Sequence, residues 1–77
     1  MDKKAEKIIG RNIRRIREKA GMTQEMLAAK LQVIGCDITR SAIAKIETCQ
    51  RHLYSDEVKH IKEVLKTSYD EIYDGIN

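Results

Sequence analysis

The chain has 77 residues, of which 35% are charged, and a formal net charge of +3. A chain of this length makes one small domain near the lower limit for a self-sufficient core. It has no apolar run near the ~18 residues of a membrane span and no apolar segment after the basic start, as a signal peptide would have. We therefore expect a cytoplasmic protein with no membrane partner.

The first helix is predicted from apolar spacing. Ile9, Ile13 and Ile16 recur at the interval of one helical face, which predicts a helix over about 3–20. Gly10 lies inside this pattern. Because glycine is a poor helix former, we expect it to weaken the first turns.

The second helix is predicted from its cap. Gly21 is a stop signal for the preceding helix, and Thr23 is a good N-cap. Leu27 and Leu31 then provide the apolar side of a short helix over about 23–31.

The third helix has the same organisation. Thr39 is its N-cap candidate, and Ile43 and Ile46 provide its apolar side over about 39–48. The stretch QVIGCDI connects it to the second helix.

Two more helices are predicted near the C-terminus. Ser55 is the cap candidate for a helix over about 55–66. Ser68 and Glu71 fit the S-x-x-E capping box and predict a last helix over about 68–74.

The predicted fold class is all-α, with five helices in a single domain over 1–77. No segment alternates with a period of two residues over a useful length. The chain has no proline, tryptophan or phenylalanine, so isoleucine, leucine and alanine must fill the core, which also favours helices.

Neither a metal site nor an active site is indicated. Cys36, Cys49, His52 and His60 lack the paired cysteines that zinc sites usually have, so we expect reduced thiols, no metal and no cofactor. The sequence has no glycine-rich phosphate loop, H-E-x-x-H or G-x-S-x-G motif, and five short helices leave little room for a substrate pocket. We expect no enzymatic activity and see no sign of a small-molecule effector.

The charges are unevenly distributed. Residues 1–19 hold eight lysines and arginines against three acidic residues, whereas 54–77 hold three against six. This indicates either a basic face for a polyanion or a solvated helix surface.

The N-terminus of the third helix raises a question. Arg40 is placed at a helix end that already carries partial positive charge, so it gains nothing in stability there. Two short capped helices, the second with basic and polar residues at its start, are typical of a helix-turn-helix, whose second helix reads base edges in the major groove.

Several motifs support this interpretation together. The segments IGRNIRRIREKAGMTQEMLAAKL, ITRSAIAKIE and TSYDEIY occur in this order. Because these motifs occur together and in this order, the chain resembles the Cro and phage-repressor (XRE) helix-turn-helix family from about Ile9 to Tyr73. The resemblance implies a five-helix lambda-repressor-like DNA-binding domain, with the helix-turn-helix formed by helices two and three.

The resemblance also implies residue roles. The positions that face the groove, and that would read bases, are Arg40, Ser41, Ala44 and Lys45. Arg40 suits guanine through a bidentate pair, although it can also contact a phosphate or remain solvated. Ala44 either touches a thymine methyl or is simply a helix former. The implied phosphate contacts are Gln24, Gln50, Arg51 and Arg14, and for Gln24 the alternative is a surface glutamine.

Two structural contacts are predicted in addition. The resemblance implies that Arg17 and Glu47 form an ion pair that sets the tilt of the third helix, the alternative being two unrelated surface charges. Tyr69, Tyr73 and Ile76 are candidates for a dimer interface, although the tyrosines can equally well close the monomer core.

Two departures from the family pattern concern the ends of the third helix. Seven residues, Gln32 to Ile38, separate Leu31 from the Thr39 cap, where the family uses about four. Cys49 occupies a position where the family often has the glycine that suits a left-handed helix end.

The predicted function is sequence-specific binding of double-stranded DNA by a homodimeric transcriptional regulator. A bacterial or prophage repressor on an inverted-repeat operator is the leading form. The alternatives are an antitoxin or restriction-modification controller that regulates its own promoter, and a helical protein-interaction module without DNA binding.

Overall fold

The computed structural model describes residues 3–76, which form five α-helices. Residues 3–76 contain no strand, and the predicted all-α five-helix fold is confirmed. The predicted domain 1–77 includes residues 1, 2 and 77, which lie outside the described residues. The helices are α1 (Lys3–Lys19), α2 (Gln24–Val33), α3 (Arg40–Glu47), α4 (Ser55–Leu65) and α5 (Tyr69–Ile72).

One hydrophobic core holds the helices together. α3 packs against both α1 and α2, α4 packs against α2, and α5 packs against α1. The isoleucines and leucines predicted to face inward are buried. Ile38, just before α3, is also buried, at 1% exposure, so it fixes the start of α3 to the core despite the long connection.

Side chains cap the N-termini of three helices as predicted. The hydroxyl oxygens of Thr23, Thr39 and Ser68 accept backbone N–H groups at 3.0, 3.1 and 3.1 Å. Each bond satisfies one of the free N–H groups at a helix start.

The predicted cap of α4 is wrong. Ser55 is the first residue of the helix, and Tyr54 holds the N-cap position. The Tyr54 N–H donates to the Glu57 carboxylate at 3.0 Å, so an acidic side chain of the first turn accepts from the backbone of the N-cap residue, as in a capping box.

Four helices end in the same backbone motif, which we call the closing turn. A residue with φ between 54° and 83° follows the helix, and its N–H and the next N–H bond carbonyls of the last turn. This is the Schellman pattern. The left-handed residues are Gly21, Gly35, Cys49 and Lys66.

The long connection between α2 and α3 is explained by this motif. α2 extends to Val33, two residues beyond the predicted end. Gly35 then adopts φ +83°, and the Cys36 N–H bonds the Leu31 carbonyl at 2.9 Å. The additional residues therefore lengthen α2 and close it in an ordered turn.

Gly10 allows α1 and α3 to cross at backbone contact. A Cβ at Gly10 would lie 2.4 Å from the Ile46 carbonyl oxygen and 3.3 Å from the Glu47 backbone. Such distances leave no room for a methyl group. The glycine, expected from the sequence only to weaken α1, is therefore the residue that lets α3 pack this closely.

Asn12 fastens the last helix to the first. Its buried side-chain amide donates to the carbonyls of Ile72 and Asp74 at 2.9 and 2.8 Å. These carbonyls lie at the end of α5, where backbone acceptors lack helical partners. A single polar side chain on α1 thus satisfies the end of a four-residue helix.

Candidate nucleic-acid interface

The outer face of α3 is polar and its inner face is apolar. Ile43 and Ile46 are buried in the core. Arg40, Ser41 and Lys45 are exposed, and Ala44 is half-buried. The four residues expected to read bases therefore lie on the side of α3 that the core does not cover.

Two clefts open at the N-terminal ends of α2 and α3. They share Gln24 and Arg40. The first lies between α1 and α2 and includes Arg14 and Arg17. The second follows α3 and is lined by Gln24, Thr39, Arg40, Ser41 and Ala44. Five of the predicted contact residues, from three helices, are thus brought together.

A buried ion pair joins α1 to α3 behind this surface. The Arg17 Nε and Nη2 atoms donate to the Glu47 carboxylate at 2.7 and 3.1 Å, and Nη1 donates to the Met22 carbonyl at 2.7 Å. The hydrogen bond to Glu47 raises the pKa of Arg17, against the opposing effect of burial. Because both charges are nearly fully buried, removing one partner would leave the other unpaired at high cost.

Gln24 extends this network to the surface. Its Nε2 donates to Glu47 Oε1 at 3.0 Å. A glutamine amide has two N–H donors, so Glu47 orients the side chain while the second N–H remains for another acceptor. Sequence reasoning did not foresee that Gln24 and Arg17 share one carboxylate.

The other end of α3 leads into a left-handed turn. Cys49 has φ +59°, the conformation that glycine favours. The closing turn is therefore kept although the residue is a cysteine. Gln50 follows it and is exposed, and its N–H bonds the Lys45 carbonyl at 2.7 Å.

Arg51 is partly engaged within the protein. Its Nη1 and Nη2 atoms each donate to the Glu57 carboxylate at 2.9 Å, and Nη1 also donates to the His52 carbonyl. The hydrogen bond to Glu57 raises the pKa of Arg51, and the same bond lowers the pKa of Glu57. Of five guanidinium N–H groups, two have no partner among residues 3–76. Sequence reasoning missed Glu57, since its partner lies six residues away across a loop.

The N-terminus of α1 lies beside the same turn. The Cys49 thiol is 3.7 Å from the Lys3 carbonyl. His52 Nδ1 is 2.6 Å from Glu6 Oε1, although this contact is not aligned as a hydrogen bond. The basic start of α1 is therefore next to the turn that follows α3, and it is helical from Lys3 onward.

Arg14 lies at the edge of the first cleft. It is exposed and is 3.6 Å from Glu18, one helical turn further along α1. An exposed pair of this kind holds a side chain only weakly, so the guanidinium is able to reorient.

The residues considered for a dimer surface divide into two kinds. Tyr73 and Ile76 pack against the core of their own chain. Tyr69 is exposed, with its ring stacked on Tyr73 at 6.1 Å and Lys62 Nζ 5.1 Å from its centre. Of these three residues, Tyr69 alone is exposed, at 43%.

The thiols and histidines do not form a metal site in the described part of the chain. No group of three or more histidine, cysteine, aspartate or glutamate residues there is arranged to hold an ion. Cys36 is buried, and burial raises the pKa of its thiol, which keeps it protonated and unreactive. None of the helices between residues 3 and 76 is long and apolar enough to cross a membrane.

Comparison with known proteins identifies the family. The model of a helix-turn-helix family matches residues 13–72. No curated protein and no solved structure matches the chain. The match covers most of the chain, which therefore belongs to the Cro/C1-type (XRE) helix-turn-helix family, as its motifs predicted. It is a DNA-binding helix-turn-helix regulator, of a family that is not typically enzymatic.

Proposed function

We propose that this member of the helix-turn-helix family is a cytoplasmic repressor that binds an inverted-repeat operator as a homodimer. The observation that carries the proposal is the joint surface at the starts of α2 and α3. There, Arg40 and Gln24 line both clefts. α3 enters the major groove with this end foremost.

Arg40 is assigned to reading guanine. It is exposed at the first position of α3, where its charge is unfavourable for the helix. A guanidinium pairs in bidentate fashion with guanine O6 and N7. Ser41 and Lys45 bond further base edges or phosphates, and Ala44 contacts a thymine methyl.

We assign contacts with the DNA phosphates to Gln24 and to the turn after α3, on the two sides of the groove that α3 enters. Gln24 directs its free N–H outward because Glu47 holds the other one. Gln50 and the unengaged N–H groups of Arg51 contact phosphates on the side opposite Gln24. Arg14 contacts the DNA backbone beyond the first cleft. Such contacts set the register of the protein on the duplex.

The Arg17–Glu47 pair is assigned a positioning role. It links the Arg17 side chain on α1, Gln24 on α2 and the end of α3 through one carboxylate. A buried pair adds little net stability once desolvation is counted. Its use is to fix the angle at which α3 meets the groove.

Two copies are needed for an operator of useful length. A two-fold dimer places two recognition helices about 34–36 Å apart, or a multiple of that distance. We assign the two-fold contact to the surface formed by α4 and α5, with Tyr69 as its exposed member and Tyr73 and Ile76 supporting it.

The test is selection of bound duplexes from a random library, followed by Arg40→Ala. We expect an inverted repeat, steep loss of affinity with salt, and a loss of about 1–3 kcal/mol for the variant with relaxed preference at one position per half-site. The matched control is Arg15→Ala, which removes an exposed charge from α1 outside both clefts.

Two results would contradict the assignment. Uniform weakening across all sequences would place Arg40 on a phosphate rather than on a base. Failure of the wild-type protein to bind any duplex at low salt would favour a protein-interaction module instead.

A further inference from the structure

Arg51 is bound along one edge of its guanidinium and open along another. Its Nη1 and Nη2 atoms each donate to one oxygen of the Glu57 carboxylate at 2.9 Å, and Nη1 also donates to the His52 carbonyl at 2.9 Å. A planar guanidinium has five N–H groups in a fixed fork. The two that remain are the Nε–H and one N–H of Nη2, and these two point in the same direction.

The open edge of Arg51 is suited to a single oxyanion. Two parallel N–H groups match two oxygens of one phosphate, which is the bidentate geometry that arginine offers and lysine does not. The Arg51 side chain is 30% exposed. Its Nε atom has no partner among residues 3–76 and is not enclosed by other atoms, so the edge is accessible to solvent.

Glu57 fixes the direction in which this edge points. The Glu57 side chain is only 13% exposed, and it also accepts the Tyr54 N–H at 3.0 Å. One carboxylate therefore holds both the guanidinium of Arg51 and the backbone that enters α4. The hydrogen bond from Arg51 lowers the pKa of Glu57, so the carboxylate is charged and the pair is formed at neutral pH.

The pair has no net charge, which changes what Arg51 contributes to binding. An uncompensated arginine attracts any nearby phosphate, and such attraction supplies essentially all of non-specific DNA binding. The negative charge of Glu57 offsets the positive charge of Arg51 and reduces this attraction. Arg51 retains the directional part of the contact, which a phosphate gains only when it lies in line with the open edge.

We propose that Glu57 is a positioning residue that makes the phosphate contact of Arg51 selective for a duplex docked in register. Glu57 presents the open edge of Arg51 to one phosphate and weakens the attraction of Arg51 for all others. The inference rests on the proposed DNA binding at the turn after α3, and it adds the residue that governs discrimination there. Glu57 itself does not contact DNA.

The first test measures the affinity of Glu57→Gln for the selected operator and for a duplex of unrelated sequence. Glutamine still accepts the Tyr54 N–H, as a capping box allows, but it removes the charge that pairs with Arg51. Operator affinity should fall because Arg51 loses its orientation, and non-specific affinity should rise because one positive charge is no longer compensated. The ratio of the two affinities should fall by about tenfold.

Asp56→Asn is the matched control for charge. Asp56 is exposed in the same first turn of α4, and it is not an acceptor of Arg51. This variant therefore removes one negative charge at nearly the same place and leaves the pair intact. It should raise both affinities alike and keep their ratio. A folding defect in either variant would instead lower both affinities together.

The second test identifies the phosphate. Replacing the operator phosphates one at a time by uncharged methylphosphonates should reveal a linkage at which the wild-type protein loses affinity. The same replacement should cost nothing in Arg51→Ala and less in Glu57→Gln than in wild type. Arg51→Lys keeps the charge but not the fork, so it should not restore the wild-type ratio of affinities.

The third test needs no DNA and measures the positioning itself. Rotation of the Arg51 guanidinium, followed by NMR of its side-chain nitrogens in the free protein, should be slow compared with that of Arg15, an exposed arginine of α1. In Glu57→Gln the rotation of Arg51 should become as fast as that of Arg15.

Three results would overturn the inference and leave the proposed function intact, since the wild-type protein would still bind its operator. They are equal effects of Glu57→Gln and Asp56→Asn on both affinities, free rotation of Arg51 in the wild-type protein, and no linkage that distinguishes wild type from Arg51→Ala. Failure of the wild-type protein to bind any duplex would overturn both proposals together.

Discussion

The turns before and after α3 have the same backbone geometry but different residues at the left-handed position. Before α3, Gly35 adopts φ +83°, and after α3, Cys49 adopts φ +59°. Both are closed by two hydrogen bonds back to the preceding helix. Glycine enters this region without strain, whereas a residue with a Cβ is destabilised there by about 1–2 kcal/mol.

The fold therefore requires the left-handed turn at both ends of α3, but it does not require a glycine to form it. At Cys49 the neighbouring contacts hold the strained residue in place. Ile46 is buried in the turn before it, and the Arg51–Glu57 pair closes the loop after it. The turn before α3 has no comparable ion pair within residues 32–39. Its left-handed residue is Gly35, which adopts this conformation without strain.

The largest effect is expected where α3, the helix between the two turns, crosses α1. Gly10→Ala should lower the free energy of unfolding by about 2–3 kcal/mol, because the methyl group would overlap the Ile46 carbonyl. Urea unfolding measures it. Arg11→Ala, at an exposed neighbouring position on α1, is the control for helix propensity. A gain in stability for Gly10→Ala would show that the helices do not cross so closely.

An intermediate effect is expected at the upstream turn. Gly35→Ala should destabilise the protein by about 1–2 kcal/mol through the left-handed backbone alone. No atom lies within 4 Å of the added Cβ, so steric overlap does not contribute. Thermal unfolding gives the value. An unchanged midpoint would mean that the turn can adopt another conformation at no cost.

The smallest effect, of opposite sign, is expected at the downstream turn. Cys49→Gly should stabilise the protein by about 0.5–1 kcal/mol, which is the relieved strain less the entropy that glycine loses on folding. Cys49→Ala distinguishes the effect of the backbone from that of the thiol. It removes the thiol but keeps the Cβ, so it should give no gain in stability. Lys66→Gly, at φ +54° after α4, should repeat the gain away from the DNA-facing surface. If Cys49→Gly and Cys49→Ala behave alike, strain is not what distinguishes the two turns.

Much of the fold could be predicted from local signals. Thr23, Thr39 and Ser68 accept the cap hydrogen bonds expected of them. The end of α2 was predicted two residues early, because Gly35 closes the helix from a position that resembled part of a loose connection. Ser55 was wrong as a cap because the helix begins at Ser55 itself, with Tyr54 in the N-cap position and Glu57 accepting the Tyr54 N–H.

The candidate site was predictable in its position but not in its connections. The polar face of α3 follows from the opposite placement of Ile43 and Ile46. That Glu47 would hold Gln24 as well as Arg17, and that Glu57 would engage Arg51, depends on how helices and loops approach in space. No periodicity encodes such contacts.

The sequence by itself determined the five helices, the core and the polar front of α3, because caps and apolar spacing act within one or two turns of chain. Only the tertiary structure decided that Gly10 seats α3, that Cys49 adopts a left-handed conformation, and that Val33 and Ile34 remain uncovered. These features arise where segments distant in the chain meet or fail to meet. The residue type sets which backbone conformations and contacts are possible at a position, and the packing of the fold determines which of them occur.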